Sequence, residues 1–520
     1  MERRGGGTKA GRGGRGPLAG VVLAAVLYAL ACPPYDWWLA AWLVPGLLLA
    51  STRRLSPLRG ALAGALLAVI YGCGMTAWAL HASLEYFAFN RLAAGAFVAA
   101  VWLVYGGIPF GLLVVAYGLA WKRVPAPARG LVGAWLWVGC EVLRTTLFTG
   151  MPWELLGYTQ YRNLLLVQVA DLGGVYAVSF VMALASVSGA ELLLALRHER
   201  PSAGTLCRHL ALPATALAAV LAYGVHGRQV YGGPPPAAGV RTVAVVQGNI
   251  PNAFRWKRAF FERALATYAE LTSAARGARP DLIVWPEYAV NFYIDQEPML
   301  HAELGGVAAL AREGLVVGGP RLTAEGLAYN SAYLLGPDGA IRGTYDKRHL
   351  VPFAEYDPLP WFAAEASSEP VTFAAGEGPD LLETASLRLG TMICYEAVFP
   401  NLARDLVRRG ADLLVNISND SWLDRGDGAA PLQHFSMTVF RAIETRRYLV
   451  RASASGVSGF VSPFGEPYAL VPTDTPGTRV ASVLPMHGMT AYTRWGDAWI
   501  PIGGLIIAAV LLPRRREGLA

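Results

Sequence analysis

Three residues far apart in the chain carry groups suited to covalent chemistry: Glu287, Lys347 and Cys394. Cys394 is the only cysteine after residue 240. It stands in Gly390-Thr-Met-Ile-Cys-Tyr-Glu-Ala-Val-Phe-Pro400, an apolar run that passes directly into a helix-like segment. A lone thiol at a strand-to-helix turn is a place to mount a nucleophile. Glu287 lies in Ile283-Val-Trp-Pro-Glu-Tyr288 and Lys347 in Tyr345-Asp-Lys-Arg-His-Leu350, each near the end of a strand-like run. A thiol attacks as its thiolate, and a free cysteine is scarcely ionised near neutrality. Glu287 is the candidate base, provided that partial burial raises its carboxyl. Lys347 is the candidate cation for the thiolate and for a developing oxyanion. Taken singly, each has a plainer reading: a small buried hydrophobe, a carboxylate at a helix N-terminus, and one half of a solvated basic pair with Arg348. Parallel strands bring their ends to one rim, where α/β sites lie, and that would unite the three.

The elements that must position them fall in two unlike halves. The chain has 520 residues, 54% hydrophobic and only 16% charged, against roughly 25% charged in soluble domains. The shortage is concentrated in residues 17–227, which carry long apolar runs, whereas 240–490 has the composition of an ordinary globular domain. A bilayer core of ~30 Å needs about 20 apolar residues per helix. Candidate spans are 17–32, 37–51, 59–80, 92–121, 129–147, 164–196 and 209–226, with an eighth at 496–513. The first is not expected to be a cleaved signal peptide, because a second apolar run follows after a short Pro-Pro turn. Basic clusters at 3–15, 53–59, 122–129, 197–208 and 514–516 all land on one side of such a bundle. The positive-inside rule makes that side cytoplasmic and puts the globular half outside. The expected organisation is a basic tail at 1–16, seven helices within 17–227, a catalytic domain at 228–495, a last span at 496–513 and a cytoplasmic tail at 514–520.

The net charge of +7 is therefore an orientation signal and not a nucleic-acid signal. The five cysteines offer Cys394 no obvious disulfide partner. No GxGxxG loop, P-loop or metal-spaced Cys/His cluster is present, so neither cofactor nor metal is expected. In Thr145–Asn163, Trp153, Tyr158 and Tyr161 suit a membrane-water belt. The sharper alternative is that this loop faces the catalytic domain and lines a lipid access route.

After a Pro/Ala/Gly-rich linker at 232–239, strands are expected at 241–247, 281–285, 314–319, 330–335, 340–345, 387–393, 412–417, 448–453 and 459–462. Helices are expected at 260–276, 402–409 and 432–447, with turns at Pro337-Asp-Gly339 and Pro463-Phe-Gly465. Alternating strands and helices with added hairpins indicate a layered α/β domain.

Five segments carry a resemblance. They are Val246-Gln-Gly-Asn-Ile-Pro251 with Trp256, Trp285-Pro-Glu287, Tyr345-Asp-Lys-Arg-His-Leu-Val-Pro-Phe353 with Glu355, Cys394-Tyr-Glu396, and Asn416-Ile-Ser-Asn-Asp-Ser-Trp422. They are similar to the nitrilase superfamily. With the apolar half, nearly the whole chain resembles the apolipoprotein N-acyltransferase family. The resemblance implies a polytopic helical membrane domain of about eight spans joined to an extracytoplasmic αββα sandwich. It implies a triad of Glu287, Lys347 and Cys394, with Glu355, Tyr395, Glu396 and Trp256 at positions the family needs for activity. It further implies transfer of an acyl chain from a membrane phospholipid, through a thioester on Cys394, to the N-terminal amine of diacylglyceryl-cysteine on apolipoproteins. The setting would be the bacterial inner membrane, with the catalytic domain periplasmic, both termini cytoplasmic and the enzyme a monomer. Ala354 departs from the pattern, since the family often has glycine before this Glu.

Physical roles follow for the added residues. Glu355 would hold Lys347 charged and oriented, the Tyr395 N–H would join an oxyanion hole, and Glu396 would brace the turn. Trp153, Trp256 and Trp422 would wall the acyl chains, and Leu359-Pro-Trp-Phe-Ala-Ala364 is a candidate lid. Two other classes compete. A membrane-tethered amidase of nitrilase type would use the same triad with water as second nucleophile and would need a closed polar pocket. A channel or scaffold would need ionisable groups inside the spans, where Glu141 and Asp171 are the exceptions.

Overall fold

Apolar helices build the first half. In the computed structural model, residues 15–87, 89–197, 202–250, 258–358, 372–378, 380–423 and 426–511 are described. The bundle comprises α1 (Arg15–Ala31), α2 (Val44–Thr52), α3 (Pro57–Met75), α4 (Trp78–Glu85), α5 (Arg91–Trp102), α6 (Ile108–Trp121), α7 (Arg129–Thr146), α8 (Ala170–Ala195) and α9 (Ala203–Tyr231). Proline opens α2, α3 and α6, at positions where its missing N–H costs nothing. The Ser202 hydroxyl caps α9 by accepting from Thr205 N at 3.1 Å. Among the described residues, four segments are long and apolar enough to cross a membrane: Pro57–Met75, Arg91–Trp121, Val167–Ala195 and Ala203–Tyr231. Gly16–Ala31, Trp38–Thr52 and Ile500–Val510 are shorter apolar helices.

Two expected spans are interrupted. The run expected at 59–80 stops at Met75, where the Thr76 hydroxyl turns back to the Gly72 carbonyl (3.0 Å), and the chain restarts as α4. The run expected at 164–196 breaks at Gly173 and Gly174. Gly174 has φ +69, and a Cβ there would lie 2.7 Å from the Tyr492 ring, so glycine is required on both counts. The break frees the Val175 N–H, which donates to Glu444 Oε1 at 3.1 Å.

Alternating strands build the second half. The strands are β1 (Arg241–Gln247), β2 (Leu282–Val284), β3 (Gly314–Leu322), β4 (Ala328–Leu335), β5 (Ile341–Asp346), β6 (Leu382–Glu383), β7 (Arg388–Ile393), β8 (Leu413–Ser418), β9 (Leu449–Ser453), β10 (Ser458–Val461), β11 (Pro467–Val471) and β12 (Gly477–Val483). Sheet one has the order β12-β1-β2-β3-β4-β5, and sheet two β11-β10-β9-β8-β7-β6. Period-two alternation assigns the faces. Val243, Val245, Val284 and Val316 of sheet one share a core with Leu389, Val415, Ile417 and Val450 of sheet two. Ala244, Val246, Ile283 and Leu315 point the other way and pack with Leu265, Tyr268 and Leu304. Those last three belong to the outer helices α10 (Arg258–Ser273) and α11 (Pro298–Ala308).

Sheet two is covered by α12 (Pro400–Arg408) and α13 (Ala429–Thr445), and the chain continues through α14 (Ala491–Trp495) to α15 (Ile500–Leu511). The layered αββα sandwich expected from the sequence is the observed fold. Helix α11 and strands β6, β11 and β12 were not anticipated. β12 pairs with β1 from Arg241↔Val483 to Gln247↔Gly477. Its residues are half-exposed at a sheet edge and so lack the unbroken apolar run that marks a central strand.

Candidate active site

Strand direction gathers the three reactive groups. β1, β2 and β3 are parallel, and β5 is antiparallel to β4, which is antiparallel to β3. β2 and β5 therefore end on the same edge of sheet one, where Glu287 and Lys347 follow them. β7 ends with Cys394 in sheet two. The site lies at the rim between the sheets, and all three residues are buried: Lys347 is 1% exposed, Cys394 2% and Glu287 4%. Gly318 makes the approach possible, since a Cβ there would sit 2.6 Å from Glu287 Cα and from the Pro286 carbonyl.

A dense network fixes the acid and the amine. Lys347 Nζ donates to Glu355 Oε1 at 2.9 Å and to Glu287 Oε1 at 3.3 Å. Asn330 Nδ2 donates to the same two oxygens at 2.7 Å each. The Asn419 N–H donates to Glu287 Oε2 at 2.8 Å, and the Val351 N–H to Glu355 Oε2 at 2.8 Å. Burial alone would lower Lys347, but the Glu355 and Glu287 carboxylates raise it well above the ordinary lysine value, so it is an ammonium at any physiological pH.

The thiol sits on a strained turn. Cys394 has φ +53, a conformation that costs a non-glycine residue about 1–3 kcal/mol and clusters at functional sites. Glu396 holds the turn by accepting from the Ile393 (2.7 Å), Arg348 (2.7 Å) and His349 (3.1 Å) N–H groups and from the Tyr345 hydroxyl (3.0 Å). That carboxylate ties the lysine segment to the cysteine segment. Behind the turn, His434 Nε2 donates to the Cys394 carbonyl at 3.1 Å, and His434 Nδ1 lies 2.9 Å from Asp420. Asp420 is ion-paired to Arg451 at 2.7 Å. Burial pushes the Cys394 thiol up to about 12, the Glu287 charge adds to the rise, and Lys347 opposes it. At rest the sulfur is a protonated thiol, and the charges that act on it are those of the acid, the amine and Asp420.

Cys394 ends an apolar cavity of about 140 Å³. Its walls come from α4 and α5 of the bundle (Trp78, Ala82, Phe97, Val98), from the loop Thr149–Trp153, and from Phe353, Tyr395, Trp422 and Leu423 of the globular half. Drug-sized ligand pockets run to roughly 300–1,000 Å³, so this slot takes the end of one chain and not a whole lipid.

Residues 24–188 match the N-terminal domain family of apolipoprotein N-acyltransferase, and residues 242–487 match the carbon-nitrogen hydrolase family. An apolipoprotein N-acyltransferase of Geobacter metallireducens is 39% identical over 74% of this chain and 74% of its own. That of Azotobacter vinelandii is 34% identical over 96% of this chain and 95% of its own. The chain belongs to the apolipoprotein N-acyltransferase family. Among solved structures, an amidase of the nitrilase superfamily from Nesterenkonia AN1 aligns over 52% of this chain and all of its own, at 20% identity and a TM-score of 0.39.

Within this acyltransferase, the remaining expected site residues divide. Tyr395 lines the cavity, with its hydroxyl donating to the Gly150 carbonyl at 3.3 Å. Trp422 is half-buried and packs its ring 5.5 Å from Tyr86 and 6.4 Å from Phe87. Trp153 is buried in the cavity wall and donates from Nε1 to Gln433 at 2.8 Å. Its loop is not an exposed aromatic belt, because Tyr158 and Tyr161 are buried too, and Arg441 Nη2 donates to the Tyr158 hydroxyl at 2.9 Å. Trp256 and the candidate lid 359–364 lie outside the described residues.

Glu141 and Asp171 have structural partners. Glu141 accepts from Trp137 Nε1 (3.0 Å) and the Leu156 N–H (2.8 Å). Asp171 is clamped by Arg446 at 2.7 Å. The sequence reading missed Asn330, His434, Gln433 and Arg451. The signal for Asn330 was available: an amide in the middle of a buried strand must have a buried partner.

Proposed function

We propose that this acyltransferase moves an acyl chain from a phospholipid to the N-terminal amine of a diacylglyceryl-cysteine by way of a thioester on Cys394. Glu287 takes the thiol proton as sulfur attacks the ester carbonyl. Lys347, with the Tyr395 N–H, stabilises the oxyanion. The C–O bond breaks, and the lysophospholipid oxygen leaves with the proton held by Glu287. The acceptor amine then attacks the thioester, Glu287 takes its proton, and the C–S bond breaks to restore the thiol. Glu355 and Asn330 position Lys347 and Glu287, and Trp153, Tyr395 and Trp422 wall the acyl chain. A resting thiol suits this cycle, since proton transfer to Glu287 is coupled to attack and no free thiolate need persist in an apolar slot.

One observation carries the reading: the cavity that ends at Cys394 is apolar and half of its wall is the helical bundle. An amidase acting on a small polar amide would need the opposite lining. Two lipid-anchored substrates gain effective concentration when the site is held against the bilayer. In this reading the bundle spans the inner membrane with eight helices, the unit at 228–495 faces the periplasm, the basic ends at 1–16 and 514–520 face the cytoplasm, and the enzyme acts as a monomer. The test is mass spectrometry of the purified protein after incubation with phospholipid. An acyl adduct on Cys394 is expected in the wild type and none in Cys394→Ser. Wild-type protein without an adduct, or an adduct that survives the substitution, overturns the mechanism.

A further inference from the structure

The helices that build the reactive slot carry a second feature at their opposite ends. Gln433 of α13 reaches the Pro33 carbonyl just beyond the end of α1, whereas Gly16 and Pro17, at the start of α1, line a separate groove. At ~1.5 Å per residue, the 17 residues of α1 set these ends about 25 Å apart. The groove shares no lining residue with the Cys394 cavity.

Its rim is cationic. Arg53, Arg54, Arg59 and Arg197 line it, and the guanidiniums of Arg53 and Arg54 lie 5.6 and 5.5 Å from the centre of the Trp121 ring. Among the described residues, the carboxylate ion-paired at this end is Glu191, and Arg129 takes it at 2.9 Å. Tyr117 and Trp121 occupy its other oxygen. Arg54, Arg59 and Arg197 make no ion pair among the described residues. Arg53 donates to the Ala50 carbonyl, and its Nε is buried without a partner. Converging like charges repel unless an anion joins them. Apolar lining comes from Leu43, Leu47 and Ala50 on the α2 side and from Gly189 and Leu193 of α8, with Ser51, Ser56 and Ser186 beside it. The groove's volume of about 1,080 Å³ lies just above the usual range for ligand pockets, roughly 300–1,000 Å³. An orientation signal requires positive charge alone. Arginines beside an apolar lining match the two ends of one molecule.

We propose that this groove binds an anionic phospholipid of the leaflet at the end of the bundle where α1 begins. Its phosphate sits among Arg53, Arg54, Arg59 and Arg197, and an acyl chain lies along α2 and α8. The proposal rests on the bundle's crossing the bilayer and is independent of the chemistry at Cys394.

The full-length protein, in a Cys394→Ser background so that no lipid is consumed, is titrated with phosphatidylglycerol, phosphatidylcholine or inorganic phosphate. Native mass spectrometry reads retained lipid, and Tm is followed in parallel. Phosphatidylglycerol is expected to be retained and to raise Tm, and phosphatidylcholine is not. Arg54→Gln and Arg59→Gln are each expected to weaken retention roughly fivefold. Gly189→Leu keeps every charge and fills space that is open above that glycine, so it is expected to abolish retention without unfolding the helix. Equal retention of the two lipids overturns the proposal. So does a Tm rise reproduced by inorganic phosphate alone, or retention undiminished in Gly189→Leu. Adduct formation on wild-type Cys394 is measured separately, so its failure counts against the acyl-transfer reading and leaves this one standing.

Discussion

Sheet one turns its outer helices toward water, while sheet two turns α13 toward the bundle, and the two coverings are built from different residues. α10 buries Leu265 and Tyr268 and leaves its other face exposed, the ordinary pattern of an amphipathic helix. α13 is buried on nearly every side, yet it carries Gln433, His434, Ser436, Thr438, Arg441, Glu444 and Thr445. Thr438 and Thr445 turn back to carbonyls of their own helix, and the others reach partners outside it. Gln433 accepts from Trp78 Nε1 (3.1 Å) and Trp153 Nε1 (2.8 Å), Ser436 donates to Glu154 (3.0 Å), and His434 holds the Cys394 carbonyl. Just past the helix, Arg446 clamps Asp171 and Gln168. Apolar contact would leave the two halves free to slide. Buried polar links fix one register, because every mispaired group costs about 1–3 kcal/mol. The thiol is thus aligned with the bundle through directional bonds, and the acid and amine on sheet one need no such coupling.

The comparison breaks most sharply at the reactive groups. Cys394→Ser is expected to lower acyl transfer by at least ~10³-fold, read as product formation with phospholipid donor. Glu287→Gln, which keeps the shape and loses the base, is expected to cost about 10²–10⁴-fold, with the Cys394 adduct reduced in parallel. Lys347→Met strands two buried carboxylates and is expected to lower both activity and Tm, since removing one partner of a buried pair costs roughly 3–5 kcal/mol.

Next in size is the clamp between the halves. Arg446→Ala leaves Asp171 buried without its cation, again a cost of about 3–5 kcal/mol. The expected outcome is a lower Tm together with slower adduct formation, because the α13 register slackens. Leu304→Ala, beneath the outer face of sheet one, is expected to cost about 2–5 kcal/mol of stability while leaving adduct formation in the folded protein unchanged. Equal catalytic damage from the two substitutions would erase the contrast between the sheets.

Much of this was legible in the sequence, and the gaps have physical causes. Strands β1, β3, β4, β7, β8 and β9 were marked by apolar runs, and the contexts of Glu287, Lys347 and Cys394 pointed to one rim. Glu355 and Glu396 were placed with their partners, one on the lysine and one on the turn. α13 was expected as a helix near 432–447, but periodicity could not say that Gln433, Ser436, Arg441 and Glu444 face a bundle more than 250 residues earlier in the chain. The same blindness left Trp153, Tyr158 and Tyr161 between a membrane-water belt and a loop that faces the catalytic domain. Aromatic rings with one polar atom suit an interface belt and a buried polar junction equally, and only the Gln433 and Arg441 partners decide between them. The breaks at Met75 and Gly174 were hidden because apolar composition runs through both, while the causes, a threonine turning back and a tyrosine ring across the chain, are local or distant contacts.

The smallest expected effect concerns His349, which stands between the two regions. Its ring centre lies 3.9 Å from that of Phe399 and 5.8 Å from that of Tyr395, and its backbone N–H is held by Glu396. Burial, reinforced by the neighbouring Lys347 charge, pushes its imidazole down to about 4. The ordinary histidine value is about 6.5. A depressed base resists protonation in the folded state, so its contribution to stability is whole above about 6.5 and is lost as pH falls through about 4. His434 is pushed down by burial too, with Arg451 reinforcing the shift, and it adds loss in the same direction. Unfolding midpoints measured from pH 7 down to pH 4 are expected to fall, and His349→Gln, which cannot take up the proton, is expected to flatten part of that slope. An unchanged slope would mean that His349 charges freely in the fold, and that the junction between thiol and bundle is wetter than its packing implies.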